Sequence, residues 1–570
     1  MKNIINIIFF LFILFAIVSC EDMMGDYLEK APGVDVTEDT IFSSRNQVET
    51  FIAATYQQGI HSTIILQEDA STGNASYGLT DAITDEGEMD QTWWNPQTWN
   101  VGNVTPNLIV GIEDSRWNAR WSAIRRCNIL IERVESVPGV SDSYVKQVKG
   151  EALFIRSLNY FEMLKRYGGV PIVEKRFQLD DDLLLPRNSV EECVDFIVKS
   201  VDEAIGYLPD SYSSEYHGRI TKGAALMLKS RTLLYAASPL FNTASPYLDF
   251  GENNNLICYT NNDNNRWQLA ATAAKAVIDW APTGGIYLVE DQGEDMNYRY
   301  VWETHDNSEI ILANKSVGEK ALWTFPWNGI IPRCLGMSWG GMSVTLNFQK
   351  LYEKKDGTPQ TWEGGSNLNE KYEEMDPRFA QTFAYNGSKW NNDIPRVQTY
   401  EGGPHNEGCF GGVWVHKRVP YSLSYNRPEV PHIIIFRLAE AYLNYAEALN
   451  EAQGPVQEAY NAINKIRNRS GMPDLPEGLT QEQFRERVQD ERAIELAYEE
   501  HRFWDLKRWL RAKEVIDADM SGIKIYPEGN NNFSYEPYVF EKRVFLDRMY
   551  LHPFDYDEVL KGYLVQNPGY

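Results

Sequence analysis

Apolar residues recur along much of this chain at the three- and four-residue intervals that gather them on one face of a helix. Val48, Phe51, Ile52 and Thr55 form the first such face, with Ser44 and Gln47 at capping-box spacing before it. A second stripe, Trp117, Trp121, Ile124, Asn128 and Ile131, predicts a helix over 116–134, ended by Pro138-Gly139. A third carries Phe154, Leu158, Phe161 and Leu164 and stops at Gly168-Gly169, after which Val170-Pro171 forces extended backbone. Further helices are expected over 190–208, 221–237 and 267–280.

The clearest pairing lies over 433–469. Ile435, Leu438, Ala439, Tyr442, Ala446 and Leu449 make one stripe, Gly454-Pro455 turns the chain, and Val456, Ala459, Tyr460, Ile463 and Ile466 make the facing one. The small Ala459 before Ile463 and Ile466 is similar to the second helix of a tetratricopeptide repeat, where a small side chain permits close helix approach. A lone hairpin leaves an apolar face uncovered, so several must stack; about four pairs are present, scattered rather than in tandem. Residues 490–509 mix dense charge with bulky aromatics and contain no breaker, which predicts one helix packed on several sides through aliphatic stems and ion pairs.

Over 282–431 the texture changes to Gly, Asn, Trp, Tyr and short apolar runs. A stretch of that length without a core is implausible as a separate unit, so it reads as loop excursions packed on the helices. The aromatic C-terminal stretch from Asn530 carries no repeat and ends Gln566-Asn567-Pro568-Gly569-Tyr570. The fold class is therefore mainly all-α: tetratricopeptide-like hairpins with long irregular insertions.

At the N-terminus, Ile4 to Val18 is apolar except for Asn6, and Ser19-Cys20 follows. This core is short for a membrane span and fits a signal peptide over 1–19 with lipoprotein-type cleavage and acylation of Cys20. Ile17 and Val18 depart from the usual lipoprotein box. Residues 20–42 then read as an acylated start and tether, and 43–570 as a single domain. The formal net charge of −26 excludes a nucleic-acid partner, since phosphate neutralisation requires clustered Lys and Arg. Cys127, Cys193, Cys258, Cys334 and Cys409 are widely spaced and odd in number, and no disulfide is assigned. The eight histidines are isolated, and Asn261 to Asn265 lacks the glycine and distal glutamate of a calcium loop, so neither a metal nor a cofactor is expected.

Sixteen tryptophans need sorting, because an indole in a helix stripe is usually core whereas one in a broken polar loop can be a binding platform. Trp117, Trp121, Trp267, Trp280, Trp504 and Trp509 belong to the first kind. Trp93, Trp94 and Trp99 sit in Asp90-Gln91-Thr92-Trp93-Trp94-Asn95-Pro96-Gln97-Thr98-Trp99-Asn100, where flat rings can cover the C–H face of a sugar while Asp85, Glu88, Asn95 and Asn100 bond its hydroxyls. Trp323, Trp327 and Trp339, beside Phe325, form a second cluster that can complete the same cleft. No catalytic residue is assigned. Gly336-Met337-Ser338-Trp339-Gly340 matches a serine-hydrolase elbow in letters, but no good strand precedes it and Gly341 follows at once. The acids Asp85, Glu86, Glu88 and Asp90 would need a set separation across a sugar to act as a glycosidase, and a solvated acidic loop is the simpler account.

A series of short motifs runs in order through the chain: Arg126-Cys127-Asn128-Ile129-Leu130-Ile131, Gly150-Glu151-Ala152-Leu153-Phe154-Ile155-Arg156, Arg166-Tyr167-Gly168-Gly169-Val170-Pro171, Ile220-Thr221-Lys222-Gly223-Ala224-Ala225, Met375-Asp376-Pro377-Arg378-Phe379, Arg437-Leu438-Ala439-Glu440-Ala441-Tyr442 and Ile466-Arg467-Asn468-Arg469. With the 490–509 segment and the terminus, this series resembles the SusD/RagB family of outer-membrane nutrient-binding lipoproteins. The resemblance implies a SusD-like fold and a non-enzymatic surface lipoprotein on the outer membrane. It further implies an oligosaccharide ligand, contacts in the early tryptophan region, and a SusC-like TonB-dependent transporter as partner. Peptide binding or scaffolding by the helical repeats is the alternative, and a surface glycosidase or esterase a more distant one.

Overall fold

The computed structural model describes residues 38–60, 79–91, 93–113, 116–178, 180–315, 327–336, 340–424, 426–430 and 433–570. Ten longer helices carry the scaffold: α1 (Arg45–Gly59), α2 (Trp117–Arg133), α3 (Asp142–Tyr167), α4 (Val190–Tyr207), α5 (Lys222–Ala237), α6 (Asn265–Trp280), α7 (Leu438–Gln453), α8 (Gln457–Arg469), α9 (Gln481–Glu495) and α10 (His501–Arg508). Each of α1 to α8 packs on the next, so the four expected pairs form one continuous stack. The long insertion leaves the stack after α6 and returns before α7, which pack directly on each other.

Local chemistry sets several helix ends. Ser189 accepts from the Glu192 amide and Thr480 from that of Gln483, each within a full capping box. Ser44 does cap α1 by position, but its side chain makes no capping bond, so the box expected with Gln47 is not formed. Gly168 ends α3 at φ 78°, and a Cβ on Gly169 would lie 1.9 Å from the Asn188 carbonyl oxygen, so this turn tolerates only glycine. The last residues of the expected tether form a short helix, Glu38–Ile41, held where Arg133 pairs with Asp39 at 2.7 Å. Cys20 and residues 1–37 lie outside the described residues.

Two expectations change, and one element is new. Residues 490–509 are not one helix: α9 ends at Glu495 and α10 begins at His501, with Tyr498 (φ 58°) and Glu500 (φ 66°) left-handed in between. Ile433–Arg437 is a strand rather than the start of α7, because its β-branched run pairs antiparallel with Ile310–Asn314. The C-terminal region holds a hairpin, Asp519–Gly529 with Asn532–Lys542, turned by Asn530 and Asn531, both at positive φ.

The insertion also gathers a second core, shared with residues 79–94 and with the C-terminal hairpin. A four-stranded antiparallel sheet takes the order β1 (Gly87–Met89), β3 (Met342–Val344), β5 (Val413–Val415), β4 (Phe383–Tyr385), where β2 is Ile310–Asn314. Met342, Val344, Phe348, Phe379, Phe383, Trp390 and Trp414 are buried around it, with Ile494, Ala497 and Tyr498 from the α9–α10 junction closing the cluster.

Scaffold and insertion meet at a buried charge network. Arg437 donates to Glu309 at 2.8 Å, Glu495 at 2.6 Å and Glu499 at 2.7 and 2.8 Å. Arg469 joins Glu309 to Glu495, while Arg378 reaches Asp376, Glu491 and Glu495. Burial alone would raise the Glu495 carboxyl, yet Arg469, Arg437 and Arg378 outweigh it and hold it well below the usual carboxylate range. Removing one member leaves the others buried and unpaired. Arg437→Ala is therefore expected to lower unfolding free energy by about 3–5 kcal/mol, read from denaturant midpoints, and Arg437→Lys to recover little because it lacks the planar fork.

Candidate functional site

Strand pairing brings the segment that carries Trp93 and Trp94 beside the chain that enters β3. β1 and β3 run antiparallel with Gly87 opposite Val344 and Met89 opposite Met342. The chain leaving β1 toward Trp93 and the chain entering β3 from residue 340 therefore emerge side by side. Asp90 fixes the junction: its amide donates to the Gly341 carbonyl at 2.9 Å and its Oδ1 accepts from the Gly341 amide at 3.0 Å. A third segment closes in at Gly408, where a Cβ would stand 2.7 Å from that of Asp90. Arg333 and Glu407, both exposed, face each other across this junction at 3.7 Å.

At its rim stands Trp93, 55% exposed, with its indole N–H donating to Gln91 Oε1 at 3.3 Å. Trp94 lies beneath it, ring centroids 5.4 Å apart and inclined at 56°. Trp94 is only 1% exposed and packs on Gly340, where a Cβ would approach its ring to 2.8 Å. The indole above is thus seated on a buried one.

The remaining early residues are corrected from ligand contacts to structural supports. Trp99, 2% exposed, is walled in by Phe503 of α10 and by His552, and its N–H donates to the Ile112 carbonyl. Asp85 is buried in a two-pronged pair with Arg502 at 2.8 and 2.9 Å. Glu88 is buried against Arg543 at 2.6 Å and accepts from Gln97 and Asn100. Asn95 donates to the Gly111 carbonyl and Asn100 to that of Ala82, both buried. Their polarity serves the protein's own backbone and arginines, leaving none of these groups open to a sugar. The same ion pairs remove Asp85 and Glu88 as an exposed carboxylate couple for glycoside cleavage. Trp327 opens a short helix, Trp327–Ile330; Trp323, Trp339 and Ser338 lie outside the described residues.

Sequence reasoning missed Arg333, Glu407 and Gln91 at this surface. Arg333 and Glu407 are far apart in the chain and carry no local pattern, so only the sheet pairing brings them together. Among the described residues no group of three or more His, Cys, Asp or Glu side chains is arranged to hold a metal, and no helix is long and apolar enough to cross a membrane. The five described cysteines are free thiols.

Comparison with known proteins agrees along the length of the chain. The SusD family model matches residues 292–570, and a second model, described as starch-binding associating with outer membrane, matches residues 26–234. SusD-like protein P25 of Formosa agariphila is 24% identical over 534 residues, covering 90% of this chain and 91% of that protein. A SusD-like protein of Bacteroides ovatus is 23% identical over 532 residues, covering 90% and 83%. Among solved structures, a SusD-like protein from Bacteroides fragilis NCTC 9343 aligns with a TM-score of 0.77 at 28% identity, covering 95% of this chain and all of that one. A laminarin-binding SusD-like protein shares the fold at a TM-score of 0.59 and 20% identity, covering 93% of this chain and 100% of that one. In fold, in motif order and in matched length, this chain belongs to the SusD/RagB family.

Proposed function

We propose that this outer-membrane-associated SusD-like protein captures an oligosaccharide on the surface around Trp93 and passes it, unaltered, to a SusC-like TonB-dependent transporter. The observation that carries the reading is an indole more than half exposed, seated on a buried one, where the segment after β1 meets two loops of the insertion. Such a ring offers a flat face for C–H stacking at low entropic cost, and Gln91, Arg333 and Glu407 around it offer donors and acceptors for hydroxyls. SusD-family glycan-binding proteins are non-catalytic, in keeping with this capture-and-release role. Cys20 is assigned the acylated anchor, with the chain surface-exposed on the outer membrane. The starch-binding description of the second family model and the laminarin-binding relative support a glycan over a peptide.

Trp93→Ala is expected to weaken retention in polysaccharide affinity gels by about tenfold, the equivalent of about 1.4 kcal/mol of lost stacking. New reducing ends from the pure wild-type protein, or undiminished retention by the variant, would count against the reading. Cys20→Ala should shift the protein from the membrane fraction to the soluble fraction on cell fractionation.

The brace behind the surface also titrates. Burial pushes the Asp90 carboxyl from 3.8 up to about 6, while the Gly341 amide and Gln91 pull the other way. A carboxyl raised on folding contributes stability that is complete below pH 3.8 and is lost as pH rises through about 6. Asp90→Asn keeps an oxygen for the Gly341 amide but does not ionise. Across that window its denaturation midpoint is expected to rise relative to wild type, and parallel curves would show that Asp90 is not the group involved.

A further inference from the structure

We propose that the cleft between α2 and the extended segment after α3 is a second carbohydrate site, built for a sugar unit bearing an anionic group. The cleft encloses about 450 Å³, within the range of about 300–1,000 Å³ usual for ligand sites. Asn118, Trp121, Ser122 and Arg125 line it from α2. These four stand at i, i+3, i+4 and i+7, one stripe of the helix, and Asn118, Ser122 and Arg125 are exposed. The stripe thus sets an indole, an amide, a hydroxyl and a guanidinium in a row along an open face. Phe177 and Tyr563 supply the facing walls.

Charge identifies the ligand class. The chain carries 80 acidic and 54 basic residues, yet this lining holds Arg125, Lys175 and Arg176 and no carboxylate. Arg176 is engaged by Glu132 at 3.0 Å and by Glu38, and Lys175 by Asp181 at 3.1 Å, all from outside the lining. Arg125 has no carboxylate partner among the described residues. Its Nη1 donates to the Phe177 carbonyl at 3.1 Å, which fixes the guanidinium while its other N–H groups remain available. A fixed fork of this kind suits a carboxylate or a sulfate.

The aromatic walls are held as firmly. Trp121 meets Trp117 and Tyr160 edge-on at centroid distances of 5.5 and 6.1 Å, and the Tyr563 hydroxyl donates to Glu558 at 2.7 Å. Rings already fixed lose little freedom when a ligand stacks on them. No residue of this cleft belongs to the Trp93 surface. That the ligand is a saccharide rests on the function proposed above; that it is anionic rests on the lining.

The test is calorimetric titration of the full mature protein with tetragalacturonate, with a sulfated carrageenan tetrasaccharide, and with maltotetraose as the neutral counterpart. At least one anionic probe is expected to bind, with affinity falling as salt rises. Arg125→Ala, and Ser122→Trp, which fills the cleft from an exposed position, should each weaken it about tenfold or more, whereas Trp93→Ala should leave it unchanged. Binding of neither anionic probe, or binding that both cleft variants leave intact, would overturn the assignment. If glycan retention persists and responds only to Trp93→Ala, the cleft is refuted and the main reading stands; if no glycan is retained at all, both fall.

Discussion

A carboxylate with no exposure to solvent, Glu495, is the point on which the scaffold is registered. An ion removed from water must find its compensation inside the protein, and Glu495 finds it in three arginines from separate elements: Arg437 at the end of strand β6 (Ile433–Arg437), Arg469 at the end of α8, and Arg378 in the insertion. None of these reaches it unless α9, the last repeat and the insertion are docked in one arrangement. Hydrophobic contacts along the stack are tolerant of small slips, whereas a forked guanidinium between two buried glutamates is not. The network thus selects one packing among several that the apolar stripes alone would allow.

The same region governs the candidate surface. By breaking after Glu495, the chain frees the Tyr498 amide from helical bonding, and it donates to Glu86 at 2.9 Å while the Tyr498 hydroxyl bonds the Glu86 carbonyl. A few residues on, Arg502 grips Asp85 and Phe503 packs on Trp99. Left-handed backbone at Tyr498 and Glu500 costs about 1–3 kcal/mol per residue and persists only where surrounding contacts enforce it. Here those contacts bind Asp85 and Glu86, and so hold the start of the strand that leads to Trp93. A stacking platform works by being rigid before the ligand arrives.

The helices were legible because their stripes follow the periodicity of the structure they adopt, and the stacked pairs followed from the need to cover apolar faces. The break at 496–500 was not, since no glycine or proline marks it and its cause, Glu86, lies far away in sequence. The hairpin of β7 (Asp519–Gly529) and β8 (Asn532–Lys542) left a readable trace in Gly529-Asn530-Asn531, whose asparagines accept positive φ. Ile435 fitted a helical stripe, but a β-branched run with a partner strand prefers the sheet. At the candidate site, local polarity misled. Asn95, Asn100, Asp85 and Glu88 looked solvated, yet each answers a buried carbonyl or arginine supplied from elsewhere in the chain. Trp121 packs on the core as its stripe reads, while its neighbours Asn118, Ser122 and Arg125 on the same helix face are exposed.

Because α6 packs directly on α7, the stack is continuous across the insertion between them, and the insertion buries Trp390, Trp414 and Phe383 in a second cluster beside that stack. The two are joined by ion pairs and by apolar residues of 79–94, of the α9–α10 junction and of the C-terminal hairpin that complete the second cluster. Under this division of labour, the charged residues that register the scaffold face inward, and Trp93, Arg333 and Glu407 at the candidate surface stand in exposed loop positions. Trp93 can change without disturbing Arg437, whereas Asp85 cannot change without disturbing Arg502. Recognition is therefore free to vary at the tips of a body whose interior is fixed, which is how one fold can serve ligands of different shape.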